Sequence, residues 1–117
     1  MNDYLRALRN EFEGSDSSFL IQIRSELHWN KASFSHLIQV MQRCCEDYSN
    51  SATLERWMAV GFWYVPFFVR DWTTHPDFPR QHEAKYYQIA YQRLDDLAYW
   101  FFIGESPHLA GKGFEPI

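Results

Sequence analysis

Residues 57–69 read WMAVGFWYVPFFV, an apolar run bounded by Arg56 and Arg70. A helix that crosses a bilayer needs about 20 apolar residues. This run has thirteen, so it is too short to span a membrane unaided. We interpret it as the central helix of a bundle, packed by neighbouring helices around most of its circumference. Pro66 lacks a backbone N–H, which predicts a kink or a break near Val65.

The rest of the chain is also helical in pattern, because apolar residues recur every three or four positions. Strand-like alternation hardly occurs. The predicted helices cover residues 2–13, 17–29, 31–48, a segment from about 52 through the apolar run, and 79–103. The turn GSDSS (14–18) supplies N-cap candidates for the second helix, Asp16 and Ser17 among them, and Asn30 is the candidate for the third. We therefore predict an all-α bundle of four or five helices, one domain over residues 1–117, with 105–117 as an extended C-terminal tail.

Composition limits the classes of partner. Ten Phe, seven Tyr and five Trp in 117 residues exceed what a small core can bury, so we expect some aromatic surface to stay exposed. The formal net charge of -4, with few and scattered basic residues, argues against nucleic acid as a partner. An acidic chain is better suited to a basic protein partner.

The two cysteines, Cys44 and Cys45, are adjacent in sequence, so a disulfide between them would be strained. Without a disulfide framework, and with a polar, charged N-terminus that does not resemble a signal peptide, we predict a cytoplasmic protein.

No catalytic or metal motif is recognisable. His28 and His36 are eight residues apart and His75 and His82 seven apart, unlike the i, i+4 spacing of zinc-binding helices. The sequence also lacks a nucleophile motif and a glycine-rich phosphate loop. We predict no metal, no cofactor and no enzymatic activity.

Acidic residues mark two places where a partner could bind. Glu46 and Asp47 lie at the predicted C-terminal end of the third helix, where the helix dipole disfavours negative charge. Such a placement suggests a use in binding, with Tyr48 as an adjacent aromatic anchor; the alternative is an ordinary solvated surface.

The last helix carries the second acidic pair, Asp95 and Asp96. Trp100 follows Asp96 at i, i+4, so the two side chains are neighbours on one face. Trp is among the residues that dominate binding energy at interfaces, which makes Trp100 a candidate anchor. The alternative is that Trp100 packs against the apolar helix.

In overall profile the chain resembles the small cytoplasmic immunity proteins of bacterial toxins, including those of contact-dependent growth inhibition. The resemblance lies in the size, the acidic charge, the aromatic richness and the lack of a catalytic motif. It implies a stoichiometric complex with a cognate toxin domain, often a basic nuclease, whose active site is occluded. The charge of -4 is weak for that class.

Two other functions remain open. The chain could be an all-α scaffold protein that buries its exposed aromatic residues by forming a homodimer. It could also be a small enzyme or ligand-binding bundle, with a pocket near Pro66 lined by Trp63, Tyr64 and His75.

Overall fold

The computed structural model describes residues 3–107 and 117, and this part of the chain is an all-helical bundle without strands. The all-α prediction is thus confirmed. The helices are α1 (Asp3–Phe12), α2 (Phe19–Glu26), α3 (Lys31–Tyr48), α4 (Arg56–Thr73) and α5 (Ala84–Ile103). Of the predicted tail, residues 108–116 lie outside the described residues. Ile117 is half-buried, and its backbone carbonyl accepts a 2.7 Å hydrogen bond from Ser35 Oγ.

Local capping explains where several helices begin and end. Asn30 caps α3 as predicted, because its Oδ1 accepts a hydrogen bond from the Ser33 backbone N–H at 3.1 Å. At the start of α2 the capping side chain is Ser18, which lies in the predicted turn 14–18, next to the named candidate Ser17. Helix α5 ends where Gly104 takes a left-handed conformation with φ of 97°.

Three predicted boundaries were wrong. Helix α2 ends at Glu26 because Leu27 adopts a left-handed conformation, and the Leu27 and His28 backbone N–H groups both bond to the Gln22 carbonyl. Helix α4 begins at Arg56 and α5 at Ala84, both later than expected.

The linker after α2 holds an aromatic centre of the core. The Trp29 ring is fully buried, and its indole N–H donates to the Tyr86 hydroxyl at 3.0 Å. Phe19 and Phe34 pack against the same ring, and Tyr87 meets it edge-on with ring centroids 5.0 Å apart. This cluster joins α2, α3 and α5 at one end of the bundle.

Helices α4 and α5 run antiparallel side by side. Near one end of the pair, the Phe62 and Phe101 rings stack with centroids 4.2 Å apart. Near the other end, the Thr73 hydroxyl hydrogen-bonds the Tyr91 hydroxyl. Helix α4 also packs against α1 and α2. Helix α4 continues through Pro66, so the helix break predicted near Val65 does not occur. The kink, which was the other prediction for this position, stays a prediction.

Helices α1, α2 and α5 enclose α4 around most of its circumference, as expected, and leave one side of it uncovered. Its inward face is buried in the core, but the opposite face is open to solvent. The fully buried large apolar residues of the inward face are Met58, Phe62, Val65 and Val69.

Candidate interaction surface

Helix α4 presents a row of large apolar side chains to solvent. Val60 is 55% exposed, Trp63 64% and Phe67 57%. Their i, i+3, i+7 spacing places them on one side of the helix, and Tyr64 borders them with a partly exposed ring. The Trp63 and Phe67 rings lie nearly parallel, at 6° and with centroids 5.9 Å apart. They therefore form a continuous aromatic surface, not isolated exposed residues.

Helix α5 extends this surface. Arg70 on α4 forms an ion pair with Asp95 on α5, at 2.9 Å between Nη2 and Oδ2. Trp63 lies two turns before Arg70, and Phe102 two turns after Asp95, so each lies nearly in line with a member of the pair. Because the helices are antiparallel, Trp63 and the exposed Phe102 are on the same side of the bundle.

We call this surface the aromatic face. It consists of Val60, Trp63, Tyr64 and Phe67 on α4 with Tyr99 and Phe102 on α5. The aromatic content of the chain predicted exposed aromatic residues but not their position on α4 and α5. The signal was the i, i+3, i+4, i+7 spacing inside the apolar run, and it was hidden because the other side of the helix is equally apolar.

The acidic residues predicted on α3 have mostly internal partners. Asp47 accepts a hydrogen bond from the Tyr4 hydroxyl at 2.5 Å and lies 3.7 Å from Arg43 Nε. Burial, and then the bond to Asp47, raises the pKa of the Tyr4 hydroxyl. Tyr48 is half-buried, and desolvation raises its pKa as well. Glu46 is exposed, and its Oε2 accepts a long 3.5 Å hydrogen bond from an amide, that of Gln42.

The predicted residues on α5 differ in their surroundings. Asp95 is held by Arg70, so its charge is already compensated. Asp96 accepts a 2.8 Å hydrogen bond from Gln92 along the same helix. Trp100 is half-buried and packs against the hydrophobic core. Its predicted packing against α4 stays a prediction.

The two predicted groups lie on neighbouring helices. The Cys45 thiol donates to the Leu97 carbonyl at 3.4 Å, so α3 and α5 are side by side at this level. Glu46 directly follows Cys45 in the sequence, and Asp96 directly precedes Leu97. The structure thus places the two groups at the same level of the bundle, and their role in binding remains a prediction.

The predicted pocket near Pro66 does not form from the three residues proposed for it. Tyr64 lines a cavity of 160 Å³ between α1, α2 and α4. His75 lines another, of 440 Å³, with Trp72 and Phe78 at the C-terminal end of α4. Trp63 points to solvent on the aromatic face. Trp63 and Tyr64 are neighbours, with ring centroids 6.5 Å apart, but His75 lies at a different cavity, so the three residues do not line one pocket.

The two cysteine thiols are unreactive in character. Cys44 and Cys45 are both free and buried. Burial, followed by the charges of Asp47 and Glu55, raises the pKa of Cys44 to about 12. Burial also raises the pKa of Cys45. Both thiols stay protonated near neutral pH and lack the thiolate that a nucleophile requires.

Within the part of the chain that the structure describes, no three His, Cys, Asp or Glu side chains are arranged to hold a metal ion. Likewise, none of the helices within residues 3–107 is long and apolar enough to cross a membrane. Comparison of the sequence with protein-family models gave no match, and no similar chain was found among curated proteins or solved structures.

Proposed function

We propose that this chain is a non-enzymatic binding protein that works by holding another polypeptide against the aromatic face. The observation that carries the proposal is the exposed row Val60, Trp63 and Phe67 on α4. Contiguous apolar surface of this kind is uncommon on proteins that act alone. Aromatic residues supply much of the binding energy at protein interfaces, and Trp supplies the most on average.

The packing of the face also favours binding. Trp63 and Phe67 are held by each other's rings, and α4 is fixed beneath them by its buried side. A surface that is already ordered loses little conformational entropy when a partner covers it. The neighbouring Arg70–Asp95 pair supplies a polar rim between α4 and α5.

The predicted neutralisation of a toxin is one form of this proposal, in which the bound polypeptide is a basic toxin domain. Glu46 supports its electrostatic part, because that carboxylate is exposed and contacts an amide rather than a cation. Asp47 and Asp95 support it less, since Arg43 and Arg70 already compensate their charges. The predicted self-association is the other form, with a second copy of the chain as the bound polypeptide.

The test is a quantitative pull-down of the tagged chain from lysate of its native cells. The variant carries Trp63→Ser and Phe67→Ser together. The matched control is Ile89→Ser, which removes an exposed apolar side chain of α5 outside the aromatic face. We expect one stoichiometric protein, foreign or the chain itself, to be recovered with the wild type and the control and lost with the double variant.

Circular dichroism melting accompanies each pull-down, because a variant that unfolds would also lose its partner. Since both replaced rings are exposed, all three proteins should melt at similar temperatures. Equal recovery of the partner by a folded double variant would overturn the proposal. So would a wild-type chain that recovers nothing and stays monomeric at high concentration.

A further inference from the structure

Helix α4 carries two charges at ends where its own dipole opposes them. Arg56 is the first residue of the helix, near the positive pole, and Asp71 lies in the last turn, near the negative pole. Both side chains are exposed. Within residues 3–107 and 117 neither has a hydrogen-bond or ion-pair partner. The same turn contains Arg70, whose charge is favourable to the dipole and is used by Asp95.

These charges and the apolar residues of the face follow a symmetric order along α4. The point midway between Trp63 and Tyr64 is also midway between Val60 and Phe67. Arg56 and Asp71 are likewise equally far from it, one on each side. A two-fold rotation about an axis through this point, perpendicular to the helix, exchanges Val60 with Phe67 and Trp63 with Tyr64. The same rotation exchanges the basic Arg56 with the acidic Asp71.

We propose that the aromatic face binds a second copy of this chain, with the two α4 helices antiparallel across a two-fold axis between Trp63 and Tyr64. This inference rests on the proposed function and names the bound polypeptide. In a two-fold interface each contact occurs twice. Arg56 of each copy therefore meets Asp71 of the other, and each charge also lies beside the favourable pole of the other copy's helix.

A groove on the same face fits this arrangement. It has a volume of about 330 Å³ and is lined by Phe67, Arg70, Asp71 and Thr74. In the antiparallel register, Arg56 of the second copy arrives at this groove. A guanidinium there can bond the Asp71 carboxylate and lie over the Phe67 ring. The charge of Arg70 does not repel it strongly, because Asp95 compensates that charge.

The small area of the aromatic face limits the affinity that we expect for the dimer. A helix of 18 residues is about 27 Å long, and one side of it with the rim of α5 is smaller than the roughly 800 Å² per partner of a standard interface. We therefore expect a reversible dimer with a Kd on the order of 10 µM, not a permanent one.

The experiment is analytical ultracentrifugation of the full chain from 1 to 500 µM, on the wild type and on Arg56→Asp, Asp71→Arg and the double charge exchange. We expect either single exchange to weaken the dimer about 10-fold or more, because like charges then meet at both ends of the interface. The double exchange should recover most of the affinity, since opposite charges face each other again. Arg6→Asp, an exposed substitution on α1 away from the aromatic face, is the matched control and should leave the Kd unchanged.

Three results would overturn the inference: a wild-type chain that is monomeric throughout, a dimer that is indifferent to both single exchanges, or a double exchange no better than the singles. Failure here is distinguishable from failure of the proposed function. If the chain is monomeric but the Trp63→Ser/Phe67→Ser variant loses a foreign protein in the pull-down, the face binds that protein and only the second copy is excluded.

Discussion

The two sides of α4 have the same chemistry and opposite surroundings. Phe62 is fully buried and stacks on Phe101, whereas Trp63, the next residue, is among the most exposed large side chains of the described chain. Both belong to one apolar run. Hydrophobicity therefore does not decide which side of this helix is covered; the positions of α1, α2 and α5 do.

The difference separates stability from function within a single helix. Side chains on the inward side hold the bundle together, and those on the outward side contribute little to folding because water still contacts them. An exposed apolar side that folding does not use is available for binding. Substitutions on the two sides should therefore affect different measurements.

Substitutions on the buried side of α4 should change the free energy of unfolding the most. Phe62→Ala removes a ring that stacks on Phe101 and meets Phe12 edge-on, and it leaves a cavity. We expect the free energy of unfolding to fall by about 3–5 kcal/mol. Trp63→Ala should change it by no more than about 0.5 kcal/mol, although Trp is the larger residue. Urea titrations at 1 µM protein, below the proposed dimer's range, measure both.

Similar losses for Phe62→Ala and Trp63→Ala would contradict this account of α4, because they would place both rings in equivalent surroundings. Phe68→Ala is a useful third variant, since Phe68 is mostly buried on the same helix and should behave like Phe62.

A smaller loss of stability is expected from a substitution at Gly61, where α1 packs closely against α4. A Cβ atom at Gly61 would lie 2.0 Å from Cδ2 of Phe12, and the ring's Cγ is almost as close, so the whole ring would have to move. We expect Gly61→Ala to lower the free energy of unfolding by about 2 kcal/mol, despite the better helix propensity of Ala. Adding Phe12→Leu should recover part of the loss in the same urea titration. A stabilising Gly61→Ala would show that α1 is not held against α4 at this point.

A smaller effect depends on pH. The Cys44 thiol contacts Met58 Sδ of the buried side at 3.7 Å, and its pKa rises from 9.0 to about 12 on folding. The folded chain then keeps this proton above pH 9 while the unfolded chain releases it, so stability falls as pH rises through this range. Between pH 8 and 10 this one group should lower the free energy of unfolding by about 1.4 kcal/mol.

Denaturation at several pH values checks this, with Cys44→Ala as the comparison. The variant is less stable at neutral pH but should show a flatter decline. The raised pKa of Cys45 contributes most of what remains, and those of Tyr4 and Tyr48 add to it. An unchanged slope in the variant would show that the thiol does not titrate differently in the two states.

The smallest effect is at the polar rim. The Arg70 and Asp95 side chains are 45% and 47% exposed, so water screens their attraction. Asp95→Asn should change the free energy of unfolding by about 0–1 kcal/mol. A double-mutant cycle with Arg70→Gln isolates the pair. A coupling well above 1 kcal/mol would mean that the rim belongs to the folded core rather than to the open surface.

Where a local signal existed, the sequence predicted the fold well. Asn30 marks the start of α3 because its side chain accepts a hydrogen bond from the first turn of the helix. Gly104 marks the end of α5 because a residue without a side chain adopts the left-handed conformation easily. Leu27 could not be predicted as a helix end, since a left-handed leucine is stabilised by the surrounding structure and not by its own preference. Trp29 was likewise assigned to a helix, whereas it fills the core from a linker.

The candidate site was harder to predict than the fold. Runs of charge drew attention to Asp47 and Asp95, yet each found a basic partner from the chain itself: Arg43 from the same helix and Arg70 from another. The sequence around Trp63 showed only that the segment is apolar. Residues 57–69 contain no charged side chain that would mark the open side, and the spacing of their apolar residues alone does not distinguish it from the buried side.

Hydroxyl-radical footprinting of α4, with the purified chain at 1 µM and again with its partner or at high concentration, measures whether the aromatic face is open in the free chain and covered in the complex. We expect Trp63 and Phe67 to be oxidised readily in the dilute chain and protected when the aromatic face is covered, with Phe62 unreactive in both conditions. If Trp63 were as unreactive as Phe62 in the dilute chain, or equally oxidised in both conditions, α4 would have no binding face and the account would be wrong.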